Sequence, residues 1–120
     1  MFIFETNSEI DVSALKALFD LGAFWAAGRN YSQLAIAIAH SNPIVSVWDQ
    51  KQLIGFARAT SDWVYRANIW DVIIHPEYQG IGLGRKLLET LLAQPPLQNV
   101  ERIYLSTTYK QEFYKHLGFE

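Results

Sequence analysis

The stretch Gln79-Gly80-Ile81-Gly82-Leu83-Gly84-Arg85 decides how this chain is read. On its N-terminal side runs Ile69-Trp70-Asp71-Val72-Ile73-Ile74, with strand character, stopped by Pro76. On its C-terminal side Leu83, Leu87, Leu88, Leu91 and Leu92 recur at helical spacing. Three alternating glycines therefore fall where a buried strand gives way to a helix. Lacking Cβ, they let the backbone come close to a ligand and leave the first-turn N–H groups uncovered. Those orphan donors, with the positive end of the helix dipole, make an anion site suited to a pyrophosphate, and Arg85 adds charge nearby. Taken alone, a plain structural turn explains such glycines about as often. Two familiar phosphate motifs are excluded. There is no Gly-Lys-Ser/Thr, and Gln-Gly-x-Gly-x-Gly is not the dinucleotide order, nor does a βαβ unit with a ribose-binding acid follow.

Working outward, the strand extends over Arg66–His75 and is preceded by a hairpin. Pro43 opens a strand at Ile44–Trp48, and the polar Asp49-Gln50-Lys51-Gln52 turns it into Leu53–Thr60. Earlier, Asn30 with Gln33 resembles a capping box before Tyr31, Leu34, Ala35 and Ile38, a helix. Asp11 caps another helix, with Val12, Leu15, Leu18 and Phe19 on one face and Gly22 at its end. Phe2–Phe4 is a short edge strand. After the leucine-rich helix, closed by Pro95-Pro96, come a strand at Arg102–Ser106 and a helix at Lys110–Leu117, ended by Gly118. The order β-α-α-β-β-β-α-β-α describes one α/β (α+β) domain over residues 1–120. Its sheet is mixed and mostly antiparallel, with helices on both faces.

Composition removes several function classes. With 120 residues, 50% hydrophobic and 14% aromatic, the chain can bury a real core. No apolar run reaches the roughly 18 to 20 residues of a membrane span, and Met1 to Glu5 start in a strand with no basic region, so the expected location is cytoplasmic. The net charge is -2 and the ten basic residues are scattered, which argues against nucleic acid as a partner. With no cysteine, there is no disulfide, thiolate metal site or acyl-cysteine intermediate. His40, His75 and His116 lack ligand spacing, so no metal is expected.

Gln79-x-x-Gly82-x-Gly84, after a strand and at a helix start, resembles the acyl-CoA pyrophosphate loop of the GNAT acetyltransferase superfamily. Phe113-Tyr114-Lys115-His116-Leu117-Gly118-Phe119 is similar to that superfamily's Phe-Tyr-x-x-x-Gly-Phe hallmark. Gln52-Leu53-Ile54-Gly55-Phe56-Ala57-Arg58-Ala59-Thr60-Ser61-Asp62 and Ile69-Trp70-Asp71-Val72 resemble the plastid and cyanobacterial branch that includes serotonin N-acetyltransferases and enzymes acting on protein amines. The likeness covers nearly the whole chain and is strongest from Gln52 onward.

The resemblance implies splayed central strands with acetyl-CoA between them as co-substrate. Val72, Ile73 and Ile74 would meet the pantetheine arm through backbone groups, and Gln79, Gly80, Ile81, Gly82, Leu83, Gly84 and Arg85 would hold the pyrophosphate. Thr108 and Tyr114 would also contact the coenzyme. Tyr114 would be the general acid for the leaving thiolate, against the bland reading of a core tyrosine. For the base, Asp71 and His75 flank the proposed thioester strand, with Glu77 just beyond and water relay as an alternative. Asp71 alternates with Trp70 and Val72, so it should point opposite to both, toward the cleft or an ion pair. Relatives carry Asp-Asn seven and six residues before the tyrosine, where this chain has Thr107 and Thr108. They also continue past the position of Glu120 into a further strand, so an open sheet edge and a homodimer are expected.

Phe24, Trp25, Tyr31, Trp63 and Tyr65 suggest an aromatic amine pocket, or equally core packing. The expected activity is acetyl transfer to a small arylalkylamine such as serotonin or tryptamine. Transfer to protein lysines or N-termini is the alternative, and a non-catalytic acyl-CoA-binding module is a third reading.

Overall fold

The structure is a computed structural model and describes residues 1–6, 9–23, 25–105, 107 and 110–119. Five strands, β1 (Phe2–Thr6), β2 (Ile44–Asp49), β3 (Gln52–Ser61), β4 (Arg66–Ile74) and β5 (Arg102–Leu105), form one sheet in sequence order. The first three pairings are antiparallel and only β4 with β5 is parallel. The helices are α1 (Val12–Gly22), α2 (Tyr31–Ala39), α3 (Leu83–Leu92), α4 (Pro95–Gln98) and α5 (Gln111–His116), with a 3-10 turn at Pro76–Tyr78.

Local chemistry sets the helix starts. Asp11 accepts hydrogen bonds from the Ser13 and Ala14 N–H groups, and Asn30 accepts from Gln33 N–H, so both expected caps form. Pro95-Pro96 closes α3 as read, and the same pair opens α4, because a proline at the first helical positions loses no intrahelical donor.

Each face of the sheet carries its own core. On one side α1 and α2 bury Leu15, Leu18, Phe19 and Leu34 against Phe56 and Ile73. The Phe19 and Phe56 rings meet edge to face at 5.7 Å. On the other, Leu83, Leu87, Leu88 and Leu91 of α3 pack on Val45, Val47, Ile54, Ala57, Ala59 and Ile69. Burying each such side chain contributes about 1.5–3 kcal/mol, so together they fix which helix covers which face.

Strand β4 departs from regular pairing in two ways. Arg58 pairs with Trp70 and Phe56 with Ile73, so Asp71 and Val72 together stand opposite Ala57. That is a β-bulge, and Asp71 occupies it with φ at 56°. On the other side, pairing with β5 runs from Arg66↔Arg102 to Ile69↔Leu105 among the described residues, while β4 continues to Ile74. The last part of β4 therefore lies beside the strand gap, next to the start of α3.

Candidate active site

The glycine stretch has two parts with different physical reasons. Gly80 and Gly82 have φ of 83° and 88°, a left-handed conformation that L side chains seldom adopt. A Cβ at either would meet nothing within 4 Å, so the space beside the backbone is open. Gly82 begins α3 with no side-chain cap, so no capping side chain takes the first-turn N–H groups. Gly84 differs: its Cβ would stand 3.2 Å from Cζ of Phe113, so this glycine makes room for a protein ring. Arg85 is exposed and makes no ion pair among the described residues. Uncapped donors, open space and a free guanidinium fit a diphosphate.

Gln79, read as a pyrophosphate contact, also has a local partner. Its Nε2 donates to the Ile74 carbonyl at 3.1 Å, latching the loop back onto the end of β4. Ile73 turns into the α1 core, whereas Val72 and Ile74 pack toward α3.

Tyr114 lies on α5 and is only 8% exposed. The motif around it is a helix stop. Gly118, with φ of 101°, donates its N–H to Lys115 O, and Phe119 N–H reaches back to Tyr114 O at 3.1 Å. This is the Schellman arrangement, with the Phe119 ring against Tyr114 at 6.2 Å as its accompanying apolar contact. Phe113 meets Tyr114 edge on at 5.2 Å. Burial raises the Tyr114 phenol above its ordinary range, so it stays protonated through neutral pH. Its hydroxyl makes no hydrogen bond among the described residues. Thr107 Oγ1 accepts from Lys110 N–H at the entry to α5, whereas Thr108 lies outside the described residues.

The two base candidates sit in settings that oppose the role. Expected to point away from Trp70, Asp71 instead shares its side of the strand, because the bulge breaks the alternation. Arg58 lies 5.8 Å over the Trp70 ring and donates Nε to Asp71 Oδ2 at 2.8 Å. Arg29, just before α2, donates to the same oxygen at 2.9 Å. Burial alone would raise the Asp71 pKa, but the hydrogen bonds and charges of the two arginines outweigh it and hold the carboxyl below its usual range. A carboxylate so stabilised is a poor proton acceptor. His75 is buried, accepts Glu77 N–H on Nδ1 at 3.0 Å, and leaves Nε2 to carry the proton. It faces a groove lined by Ala14, Ala17, Leu18 and Leu21 of α1, on the opposite side of the sheet from Tyr114.

The aromatic set is neither core nor one pocket. Trp25 and Tyr31, around the α1–α2 connection, and Trp63 and Tyr65, in the β3–β4 turn, are all at least half exposed. Phe24 lies outside the described residues. Another exposed aromatic, outside the set expected from the sequence, is Trp70, 41% exposed beside Arg58, its Nε1 donating to Thr60 Oγ1. Its strand alternation was the available signal, but the bulge hid which side it takes. Among the described residues no cluster of acidic, histidine or cysteine side chains is arranged to hold a metal.

Among the described residues, an open strand edge, a glycine helix start without a side-chain cap and a buried tyrosine on a following helix meet on one α/β domain. The chain belongs to the acetyltransferase (GNAT) family, whose model matches residues 12–119. It is 39% identical to the soybean (Glycine max) protein named histone acetyltransferase TAP1, over 98% of this chain and 55% of that one. An uncharacterized N-acetyltransferase, ycf52, of the red alga Gracilaria tenuistipitata var. liui is 40% identical over 94% of this chain and 64% of its own. The chain spans about half the length of the soybean relatives it matches. A GNAT-family acetyltransferase from Streptococcus pneumoniae superposes with a TM-score of 0.85 at 24% identity, covering 100% of this chain and 88% of that one. That likeness supports the fold.

Proposed function

We propose that this protein transfers an acetyl group from acetyl-CoA directly to a primary amine, with an arylalkylamine such as tryptamine or serotonin as acceptor. The observation that carries the reading is the adjacency of the end of β4 that β5 leaves unpaired among the described residues, the open backbone at Gly80 and Gly82, and the buried Tyr114. Gln79 to Arg85 hold the pyrophosphate through first-turn N–H groups and the Arg85 charge. Main-chain groups of Val72, Ile73 and Ile74 take the pantetheine amides as a neighbouring strand would. The bound thioester supplies an activated acetyl carbon. As the amine nitrogen bonds to that carbon, the C–S bond breaks and the electron pair leaves on sulfur. Tyr114, kept protonated by burial, donates its phenolic hydrogen toward that sulfur. With Asp71 ion-paired and the Nδ1 of His75 engaged, the ammonium proton leaves to water before attack, and the proton that the new amide nitrogen sheds returns through water to the Tyr114 phenolate.

The exposed Trp70, and the absence of an uncompensated carboxylate beside it among the described residues, favour an aromatic acceptor. A specific observation supports a second acceptor, a protein lysine: the soybean relative is named a histone acetyltransferase.

The test is calorimetry with acetyl-CoA, followed by thiol release with tryptamine, serotonin and a histone-tail lysine peptide. Thiol release with the indole amines that is lost in Tyr114→Phe supports the reading. Turnover of the peptide alone moves the acceptor to protein, binding without turnover leaves an acyl-CoA-binding module, and no binding ends the proposal.

A further inference from the structure

Asp71 is the centre of a network that reaches both ends of α2. Its Oδ2 accepts from Arg29, one residue before the Asn30 cap, at 2.9 Å and from Arg58 of β3 at 2.8 Å. Arg58 donates a further bond to Ser41 Oγ at 3.1 Å, and Ser41 just beyond α2 donates to Ala37 O at 2.7 Å. The Arg29 guanidinium also lies 5.4 Å over the Phe19 ring of α1. Asp71 can reach both arginines because the bulge turns it onto this face, at a backbone conformation uncommon for a residue with a side chain. Strain of this kind persists where the surroundings over-determine it, and two guanidinium groups on one buried oxygen do so.

The face matters. Tyr114 and α3 lie on one side of the sheet, and the network lies on the other. A coenzyme entering past α3 leaves the α1–α2 side as the approach for a second reactant at the strand gap. We propose that Arg29, Asp71 and Arg58 act together as a positioning network that fixes the α1–α2 connection against the β4 bulge and so sets the acceptor's approach to the thioester. Asp71 is then a positioning residue, its carboxylate held between two guanidinium groups. This assignment rests on the transferase reading for the acceptor, but the clamp itself does not.

The experiment uses Arg29→Gln, Arg29→Lys and Asp71→Asn in the intact chain, with two readouts. Hydrogen exchange needs no activity. In Arg29→Gln and Asp71→Asn the amides of residues 25–35 should exchange about tenfold faster while those of α3 keep their protection. Steady-state kinetics use tryptamine, or a lysine peptide if tryptamine is not turned over. Arg29→Gln should raise the amine KM about tenfold, leave the acetyl-CoA Kd within twofold, and be partly rescued by Arg29→Lys, which restores one donor. Unchanged exchange in residues 25–35 overturns the clamp, even if the wild type turns over no amine. Faster exchange with an unchanged amine KM, in a protein that does turn over, overturns the acceptor role and leaves the transferase reading intact. A kcat loss of about a thousandfold in Asp71→Asn, with Arg29→Gln unaffected, makes Asp71 the base and ends the proposal. Should Asp71→Asn fail to fold, the arginine variants decide alone.

Discussion

Gly84 and Phe113 are built to touch: the Cβ that Gly84 lacks would stand 3.2 Å from Cζ of the ring. The glycine-laced helix start and the C-terminal aromatic motif, far apart in sequence, therefore meet in one contact, and Tyr114 follows Phe113. An alanine at 84 needs Phe113 to give by a few tenths of an ångström. The ring is 38% exposed and can do so. Alanine also gains about 0.5–1 kcal/mol of helix propensity. Gly84→Ala should thus lie within about 1 kcal/mol of wild type in urea unfolding. Gly84→Val, larger and β-branched, should lose about 2 kcal/mol and lower turnover by displacing the α5 aromatics.

Gly82 answers to a different constraint. At φ of 88° any side chain is strained by about 1–2 kcal/mol, although space is available. Gly82→Ala should lower the melting temperature and weaken acetyl-CoA binding, whereas Gly84→Ala should do neither strongly. Calorimetry on the pair separates a backbone that must bend from a backbone that must be approached. Equal affinity loss in both variants would sink the distinction.

What was legible in the sequence followed from local rules. Asp11, Asn30 and Gly118 each mark a helix end by a hydrogen bond within five residues, and the leucine spacing of α3 names its buried face. What escaped depends on distant partners. Nothing near Asp71 announces a bulge, since no glycine stands there. Its partners Arg29 and Arg58 lie 42 and 13 residues away. Strict alternation put Asp71 on the wrong side of Trp70 for that reason. Nor does periodicity distinguish an aromatic buried in a core from one such as Trp25 or Tyr65 at a connection, because connections carry no period.

Tyr114→Phe keeps the ring contacts with Phe113 and Phe119 and removes one hydroxyl, so stability should change by less than about 1 kcal/mol. If the hydroxyl protonates the leaving sulfur, kcat should fall by about 10² to 10⁴ with the acetyl-CoA Kd unchanged. Because burial raises the phenol, wild-type turnover should not decline until pH passes above the ordinary tyrosine range, and that alkaline limb should be missing in the variant. A kcat that survives in Tyr114→Phe returns the residue to the role of core tyrosine.

The Asp71 carboxylate should be visible in stability against pH. Its folded pKa lies below the unfolded value of about 3.9. In the window between the two, the unfolded chain binds more protons, so stability rises with pH there. The contribution is complete above about pH 5 and is lost as pH falls through the unfolded value toward the folded one. Asp20 and Asp62 are lowered as well, chiefly by backbone N–H donors, but both are exposed and neither touches this network. The difference between wild type and Asp71→Asn isolates the one group. At pH 7 the variant leaves Arg58, 15% exposed, without its anion, and should be about 3 kcal/mol less stable in urea, a figure reduced by the exposure of Arg29. At pH 3 the gap should narrow, because the unfolded wild-type chain takes up the Asp71 proton there while the folded carboxyl, held lower by its arginines, resists it. A gap that stays constant from pH 7 to pH 3 would mean that shape and hydrogen bonding, rather than the anion, hold Arg29 and Arg58 on the bulge.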